Sequence, residues 1–538
     1  MKFKVDKKAL IVLAVVTVLL FLTGLLKSIV ELIVYFIILA TIYHMFFSKD
    51  KPSENEQQPE YDKENYITPI KNEDSYTSKP PVLNERCNAV YESDPKRKEN
   101  AVINLHKEEK IDDKTILLGH DADSQEAFYI TDEELNAMTL LLGATGAGKT
   151  TAIKTILEKP IKNGSPVIIV DGKGSPSFIT DIKVMCDKYD RNFKVFHMLD
   201  QYQQEELKRT SGEEIVKSYH YNSLRHGGYT ELKDKIISLF DWSEEHYKLQ
   251  AERFLQAVFK FIQLEEVKEL LQIKAIDLKI LSECLSVENL KSLLEHLGSE
   301  GDFLRTVLAE VEESAAKGLA NRIQSICESE LGELFRDTED INTIDCMKAI
   351  EENDVIFFSL DSLKFPEYAK MLGRLVIADL KTVSPRFVGK GKSIYTVFDE
   401  FNVFASEIIV NLINKTREYG FRNIISTQEL ADMVINGDKK LLDQVWGNTA
   451  LKISLRQDVP SSGEQLSEGI STRDVYKPTI SMSEDSSEDS SSKKSYSVSL
   501  EEEYIFKPRD FAQLERGEAI VFSKFPTFRY AKIKIRRI

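Results

Sequence analysis

Eight consecutive residues, Gly143-Ala-Thr-Gly-Ala-Gly-Lys149-Thr150, have the types and spacing of a phosphate-binding loop, and the apolar run Met138–Leu142 stands directly before them. The chemistry of that pattern is the capture of a nucleoside triphosphate. Gly143, Gly146 and Gly148 let the chain turn tightly enough for successive N–H groups, those of Ala144, Thr145 and Ala147 among them, to point at phosphate oxygens. Lys149 then reaches the β- and γ-phosphates, and Thr150 offers its hydroxyl to Mg²⁺. From Thr150 and Thr151 a helix follows, its positive end facing the same anion. ATP and Mg²⁺ are the expected cofactors.

A second set of candidates lies downstream. Ile394–Phe398 is an apolar strand that runs into Asp399-Glu400. Behind an intact phosphate loop, Asp399 is expected to hold Mg²⁺ and Glu400 to polarise the water that attacks the γ-phosphate. A pair of acids capping a strand in solvent is the plainer alternative. Gln428 follows another strand, Arg422–Ser426. It can hydrogen-bond the γ-phosphate or the attacking water, or merely cap the helix Glu429–Val434. Arg417, on a helix expected to end at Gly420, is either a solvated charge or an arginine finger for a neighbouring subunit. Asp171 and Lys173 either touch Mg²⁺ and phosphate or form the tight turn that Gly172 and Gly174 suggest. Guanine specificity has no support, because Asn414-Lys-Thr-Arg417 carries Arg where a base-reading motif needs Asp.

These residues need a scaffold. Short β-branched or apolar runs at Thr115–Gly119, Ala127–Ile130, Pro166–Val170, Val355–Leu360, Ala450–Ser454 and Glu518–Phe522 alternate with helical patterns, which predicts an α/β fold around a mainly parallel sheet. The first part of this nucleotide-binding domain spans 111–225 and the second 341–538. Between them, 226–340 shows only helical spacing and reads as an inserted all-α domain, with one helical stretch at Ala275–Leu297. Within the second part, a mobile loop is expected at about 460–500, centred on the Ser- and acid-rich Ser481–Ser499. Arg529–Ile538 is basic and alternates like an edge strand.

The amino end is apolar. Two runs, about 9–26 and 29–47, are each close to the length of a membrane-crossing helix, and together they make 1–48 a transmembrane hairpin. A cleaved signal peptide competes for the first run, but the second follows at once and no convincing cleavage site separates them. Lys2, Lys4, Lys7 and Lys8 at one end, with Lys49 and Lys51 at the other, place both termini in the cytoplasm of a cell-membrane protein. Residues 49–110 are polar and proline-bearing, a juxtamembrane linker. The net charge of −16 over 538 residues argues against a surface that wraps nucleic acid unaided, though not against a basic channel. Five cysteines, none in a C-x-x-C pair, read as reduced thiols.

Taken in order, the amino-terminal hairpin, Gly143–Thr150, Val167-Ile-Ile-Val-Asp171-Gly-Lys173-Gly, Tyr221-Asn-Ser-Leu224, Thr396-Val-Phe-Asp399-Glu400-Phe, Arg417 and Ser426-Thr-Gln428 resemble the type IV secretion coupling proteins. These are the membrane ATPases of conjugative DNA transfer, within the FtsK- and HerA-like class of DNA pumps. The resemblance implies a RecA-like P-loop NTPase domain and a homo-hexameric ring, with single-stranded DNA or a DNA–protein complex moving through its centre. It implies partners among the relaxase, the relaxosome and the secretion channel, and an Arg417 that acts in trans. The family often writes Tyr-Asn-Pro where this chain has Tyr221-Asn-Ser223. Another translocase of the class and a non-hydrolysing docking scaffold are the competing functions.

Overall fold

The structure is a computed structural model that describes residues 115–198, 204–205, 208–209, 217–338, 342–406, 408–435, 437–483 and 493–538. The expected transmembrane hairpin and linker lie outside the described residues. Among those described, no helix is long and apolar enough to cross a membrane.

The strands that carry the motifs are β3 (Thr139–Leu142), β4 (Val167–Asp171), β8 (Val355–Ser359), β9 (Ile394–Asp399), β10 (Phe421–Thr427) and β11 (Leu451–Ser454). Their residues are buried throughout, as expected of strands covered on both faces by helices. With β5 (Phe193–His197) they form the parallel half of an eleven-stranded sheet. Its antiparallel half is β1 (Ile116–Asp121), β2 (Ala127–Ile130), β14 (Glu518–Ser523) and β15 (Arg529–Ile535). The order across the sheet is β2-β1-β15-β14-β11-β3-β10-β9-β4-β8-β5. Alternate residues face opposite cores: Leu141, Ile169 and Val397 pack with Ile153 and Ile156 of the helix Lys149–Lys162, while Leu140, Val170 and Phe398 face the other side.

That second core runs on without a break into the helices between β6 (His220–Tyr221) and β7 (Thr343–Ile344). These two short strands pair in parallel, so both ends of the helical segment leave the sheet domain through one neck. Polar side chains lock the neck. Asn222 donates to the Ile276 carbonyl at 2.9 Å and to Asp337 at 2.8 Å, while Tyr221 donates to Asp379 at 3.0 Å. Lys235, buried, pairs with Asp379 at 2.8 Å and also donates to the carbonyls of Ser223 and His226. The helical spacing over Ala275–Leu297 resolves into two helices, Leu278–Cys284 and Val287–Glu295, because the Ser286 hydroxyl accepts from the Asn289 amide and restarts the helix.

Two expectations are corrected. Of the loop expected at 460–500, residues 484–492 lie outside the described residues, and the rest is not a loop. A helix spans Pro460–Ile470, and β12 (Thr472–Ser483) pairs with β13 (Lys493–Tyr504) over twelve residues, from Thr472 opposite Tyr504 to Ser483 opposite Lys493. Serines conceal a period-two pattern there: Tyr476 stands opposite Leu500 on one face, and the Lys477–Glu501 ion pair (2.7 Å) closes the other. Nor is β15 an edge strand. It lies between β1 and β14; its inward residues, Arg529 among them, are buried, and Lys532 and Lys534 alternate outward.

Candidate active site

The end of β3 delivers Gly143 to the carboxyl edge of the sheet, where the neighbouring strands pin it. Its N–H donates to the carbonyls of Thr427 (3.3 Å) and Gln428 (3.2 Å) after β10, and the Ala144 N–H donates to the Arg456 carbonyl (2.9 Å) after β11. Gly146 (φ +78°) and Gly148 (φ +119°) take left-handed conformations that a side chain would strain. Gly148 caps the helix Lys149–Lys162, which places Thr150 and Thr151 in its first turn, both half-buried. Ala147 is buried beneath the crest and Thr145 is exposed upon it. Nine residues, Gly143 to Thr151, thus present a row of amides and a helix start to one point.

The Lys149 ammonium is buried there. It donates to the Gly143 carbonyl at 2.8 Å and stands 3.8 Å from the Glu400 carboxylate. Gln428 bridges the two halves of the cluster: its Nε2 donates to Glu400 at 3.1 Å, and its Oε1 accepts from the Thr145 hydroxyl at 3.1 Å. The helix-capping alternative for Gln428 fails, since the Asp432 carboxylate accepts the amides of Gln428 and Glu429 and does the capping itself. Glu400 sits at φ +50°, a left-handed conformation costing roughly 1 kcal/mol in a residue with a side chain. Gly172 holds it there. A Cβ on Gly172 would lie 3.0 Å from the Glu400 carbonyl oxygen and 3.2 Å from its Cβ.

Asp399 ends β9 opposite Asp171 of β4. Ser426 donates its hydroxyl to Asp399 at 2.6 Å, a contact that the position of Ser426 just before Thr427-Gln428 could have suggested. Burial holds Asp399 above the ordinary carboxylate range, with Glu400 adding to it, against the opposing pull of Ser426 and Lys149. Burial and the facing Asp399 push Asp171 up to about 7, although it accepts the Lys173 amide (2.9 Å) and the Ser175 amide (2.8 Å). Those amides show Asp171 building the turn, with Lys173 exposed at its tip. Among the described residues no group of three His, Cys, Asp or Glu side chains could hold a metal by itself. Mg²⁺ does fit here in another way. Thr150 and Asp399 would share it with phosphate oxygens, and a buried acid short of positive charge is what such an ion satisfies.

Arg417 is not brought into this cluster. The helix Ile408–Lys415 ends before it, a single 3₁₀ turn carries Arg417–Tyr419, and Gly420 (φ +89°) ends that turn just before β10 begins at the amino edge of the sheet. The length of β10, seven residues, separates Arg417 from Gln428 by about 20 Å. Its exposed guanidinium lies over the Phe525 ring, 4.4 Å from the centroid.

A phosphate loop with a lysine, a carboxylate pair on a parallel strand and a polar bridge on the strand between them define a P-loop ATPase. Residues 118–384 match the family model described as the central domain of the helicase HerA, and residues 393–516 match the one described as the TraM recognition site of TraD and TraG. These matches bear out the resemblance to the type IV secretion coupling ATPases. No curated protein matches in sequence. Among solved structures, the bacterial conjugative coupling protein TrwBdeltaN70 shares the fold with a TM-score of 0.54 and 14% identity, over 76% of this chain and 87% of that one. TrwB in complex with ADP and Mg²⁺ gives 0.51 and 14% over the same shares. VirB4 of Thermoanaerobacter pseudethanolicus gives 0.51 and 15%, over 79% of this chain and 98% of that one.

Proposed function

We propose that this chain is a membrane-anchored ATPase that forms a homo-hexameric ring and couples ATP hydrolysis to the movement of DNA, with its bound relaxase, into a conjugative secretion channel. One observation carries the reading: Lys149, Glu400, Gln428 and Thr145 form a single connected cluster in a chain whose two halves match a HerA-type core and a TraG/TraD segment in tandem. The nucleotide complexes known for TrwB support ATP as the ligand. The two apolar runs of the amino end support the anchor.

In this reading the loop amides and Lys149 hold the β- and γ-phosphates. Glu400 accepts a proton from water as the water oxygen bonds to the γ-phosphorus, and the bond to the β–γ bridging oxygen breaks, leaving ADP and phosphate. Gln428 fixes Glu400 and signals the loss of the γ-phosphate to β10. Mg²⁺ supplies charge neutralisation along the phosphates when bound at Thr150 and Asp399. Arg417, at the far edge of the sheet, serves the neighbouring subunit's site.

Lys149→Ala and Glu400→Gln should each abolish ATP turnover and DNA transfer while the protein stays in the membrane. Transfer that survives both, with turnover lost, would make the chain an ATP-bound scaffold instead. Rings mixed from Arg417→Ala and Lys149→Ala subunits should regain part of the activity. Confirmed mixed rings without rescue would remove Arg417 from the reaction.

A further inference from the structure

We propose that Arg516 binds the nucleotide at its α-phosphate, from the flank opposite the catalytic acids; this rests on the ATP-site reading above and adds its nucleoside-side contact. Glu515–Glu518 is a tight turn, closed by the Glu518 amide donating to the Glu515 carbonyl at 2.9 Å, with Gly517 at φ +85°. The turn is built against the phosphate loop. The Gly517 N–H donates to the Ala147 carbonyl at 3.0 Å, and a Cβ placed on Gly148 would lie 3.7 Å from the Gly517 Cα. The Gly517 carbonyl accepts from the Ile535 amide at 2.8 Å, so β15 backs the turn and fixes its distance from the loop.

Arg516 stands one residue, about 3.8 Å of backbone, from this contact. Its side chain is exposed and has no ion-pair partner among the described residues. Of the other charged groups on this flank, Arg456 pairs with Asp458 at 2.9 Å and Glu518 with Lys532 at 3.2 Å; Glu515 is an exposed acid with no ion pair among the described residues, which leaves Arg516 as the turn's one cation. The Gly517–Ala147 hydrogen bond of 3.0 Å sets the turn against the base of the loop, within the span of an extended arginine side chain, so its guanidinium can meet an anion seated on the loop amides.

The strand order says which part of that anion it meets. Glu400, Asp399 and Gln428 approach from β9 and β10, on one side of β3; Gly517 leads into β14, two strands to the other side. The scissile γ-phosphate must face the acids. The α-phosphate and nucleoside therefore leave toward β11 and β14, where Arg516 stands with a planar donor fork suited to phosphate oxygens.

The test is the affinity of the full-length protein for ADP and for a non-hydrolysable ATP analogue. Arg516→Ala should weaken both about tenfold and by the same factor, because the α-phosphate is common to them. Arg516→Lys should recover only part. A loss confined to the ATP analogue would mean that the residue reads the γ-phosphate, and no loss for either would mean that it touches no nucleotide; both overturn the assignment. A fall in melting temperature of the nucleotide-free protein, shared by both variants, would make the arginine structural and overturn it too. If the wild type binds neither nucleotide more tightly than Lys149→Ala, the ATP-site reading itself falls.

Discussion

Replacing Gln428 with Glu tests whether the bridge seen between Gln428 and Glu400 exists during turnover. The two side chains meet at 3.1 Å, Nε2 donating to a carboxylate oxygen. The substitution keeps the shape and the contact with Thr145, and sets a second carboxylate where a donor stood. Two unit charges at that separation repel by about 5 kcal/mol at an effective dielectric constant near 20. That is roughly four pH units of proton affinity, enough to carry one carboxyl of the pair from about 4.3 to near 8. At pH 7 roughly nine pairs in ten would then hold one proton between them, on Glu400 in about half of those, so the base that activates water would be lost in about half of the sites. ATP turnover of Gln428→Glu should accordingly be about twofold down at pH 7 and should recover as pH rises toward 9. Gln428→Ala is the control. It loses a hydrogen bond to a charged group, on the order of tenfold in rate, with no new pH dependence. Steady-state hydrolysis measured from pH 6 to 9 reads both. A pH profile for Gln428→Glu parallel to that of the wild type would refute the bridge.

Three further outcomes are expected. Gly172→Ala, which sets a methyl 3.0 Å from the Glu400 carbonyl oxygen, should displace Glu400 and lower ATP turnover at least tenfold while shifting the melting temperature by only a few degrees. Lys235→Met should cost roughly 3–5 kcal/mol in urea denaturation by leaving Asp379 buried without its cation, and Lys235→Met with Asp379→Leu should recover much of it. Asp345 is buried, which alone would raise its pKa, but the hydrogen bond and charge of His226, the Lys348 amide and Arg225 hold it down to about 2. Its folded value lies below the unfolded one, so its stabilisation is present above about pH 4 and fades as pH falls through 2. Asp345→Asn, which retains the helix cap, should therefore lose on the order of 2 kcal/mol at pH 7, about 0.4 kcal/mol at pH 2 and nothing near pH 1.

The chemistry of this chain was more legible in its sequence than its architecture. Lys149, Thr150, Asp399 and Glu400 are fixed by local spacing after apolar runs, and a strand's direction carries them to one edge. Gln428 needed the fold: only the parallel register of β10 between β3 and β9 sets it against both Thr145 and Glu400. The β12–β13 ladder was hidden because its hydrogen bonds are made by backbone and serines and acids interrupt its apolar residues, as in the composition of a loop. The same holds for β15. A basic, alternating strand looks like an edge until β1 closes over it from the far end of the domain. The turn at Gly517 carries no motif at all, and its place against Ala147 comes from a strand pairing that joins residues far apart in the chain.

Strand β10 begins next to Arg417 and ends next to Gln428, and it is hydrogen-bonded to β9 and β3 on either side. A strand so held keeps its register and resists bending, so it moves only with the sheet, which makes it a stiff tie-rod between two faces of the subunit. In the proposed ring each rod would have its carboxyl end at its own ATP and its amino end at the ATP next door. The order in which subunits fire would then need no separate messenger. A shift begun when one γ-phosphate departs would arrive at the adjoining site as a movement of the very arginine that completes it.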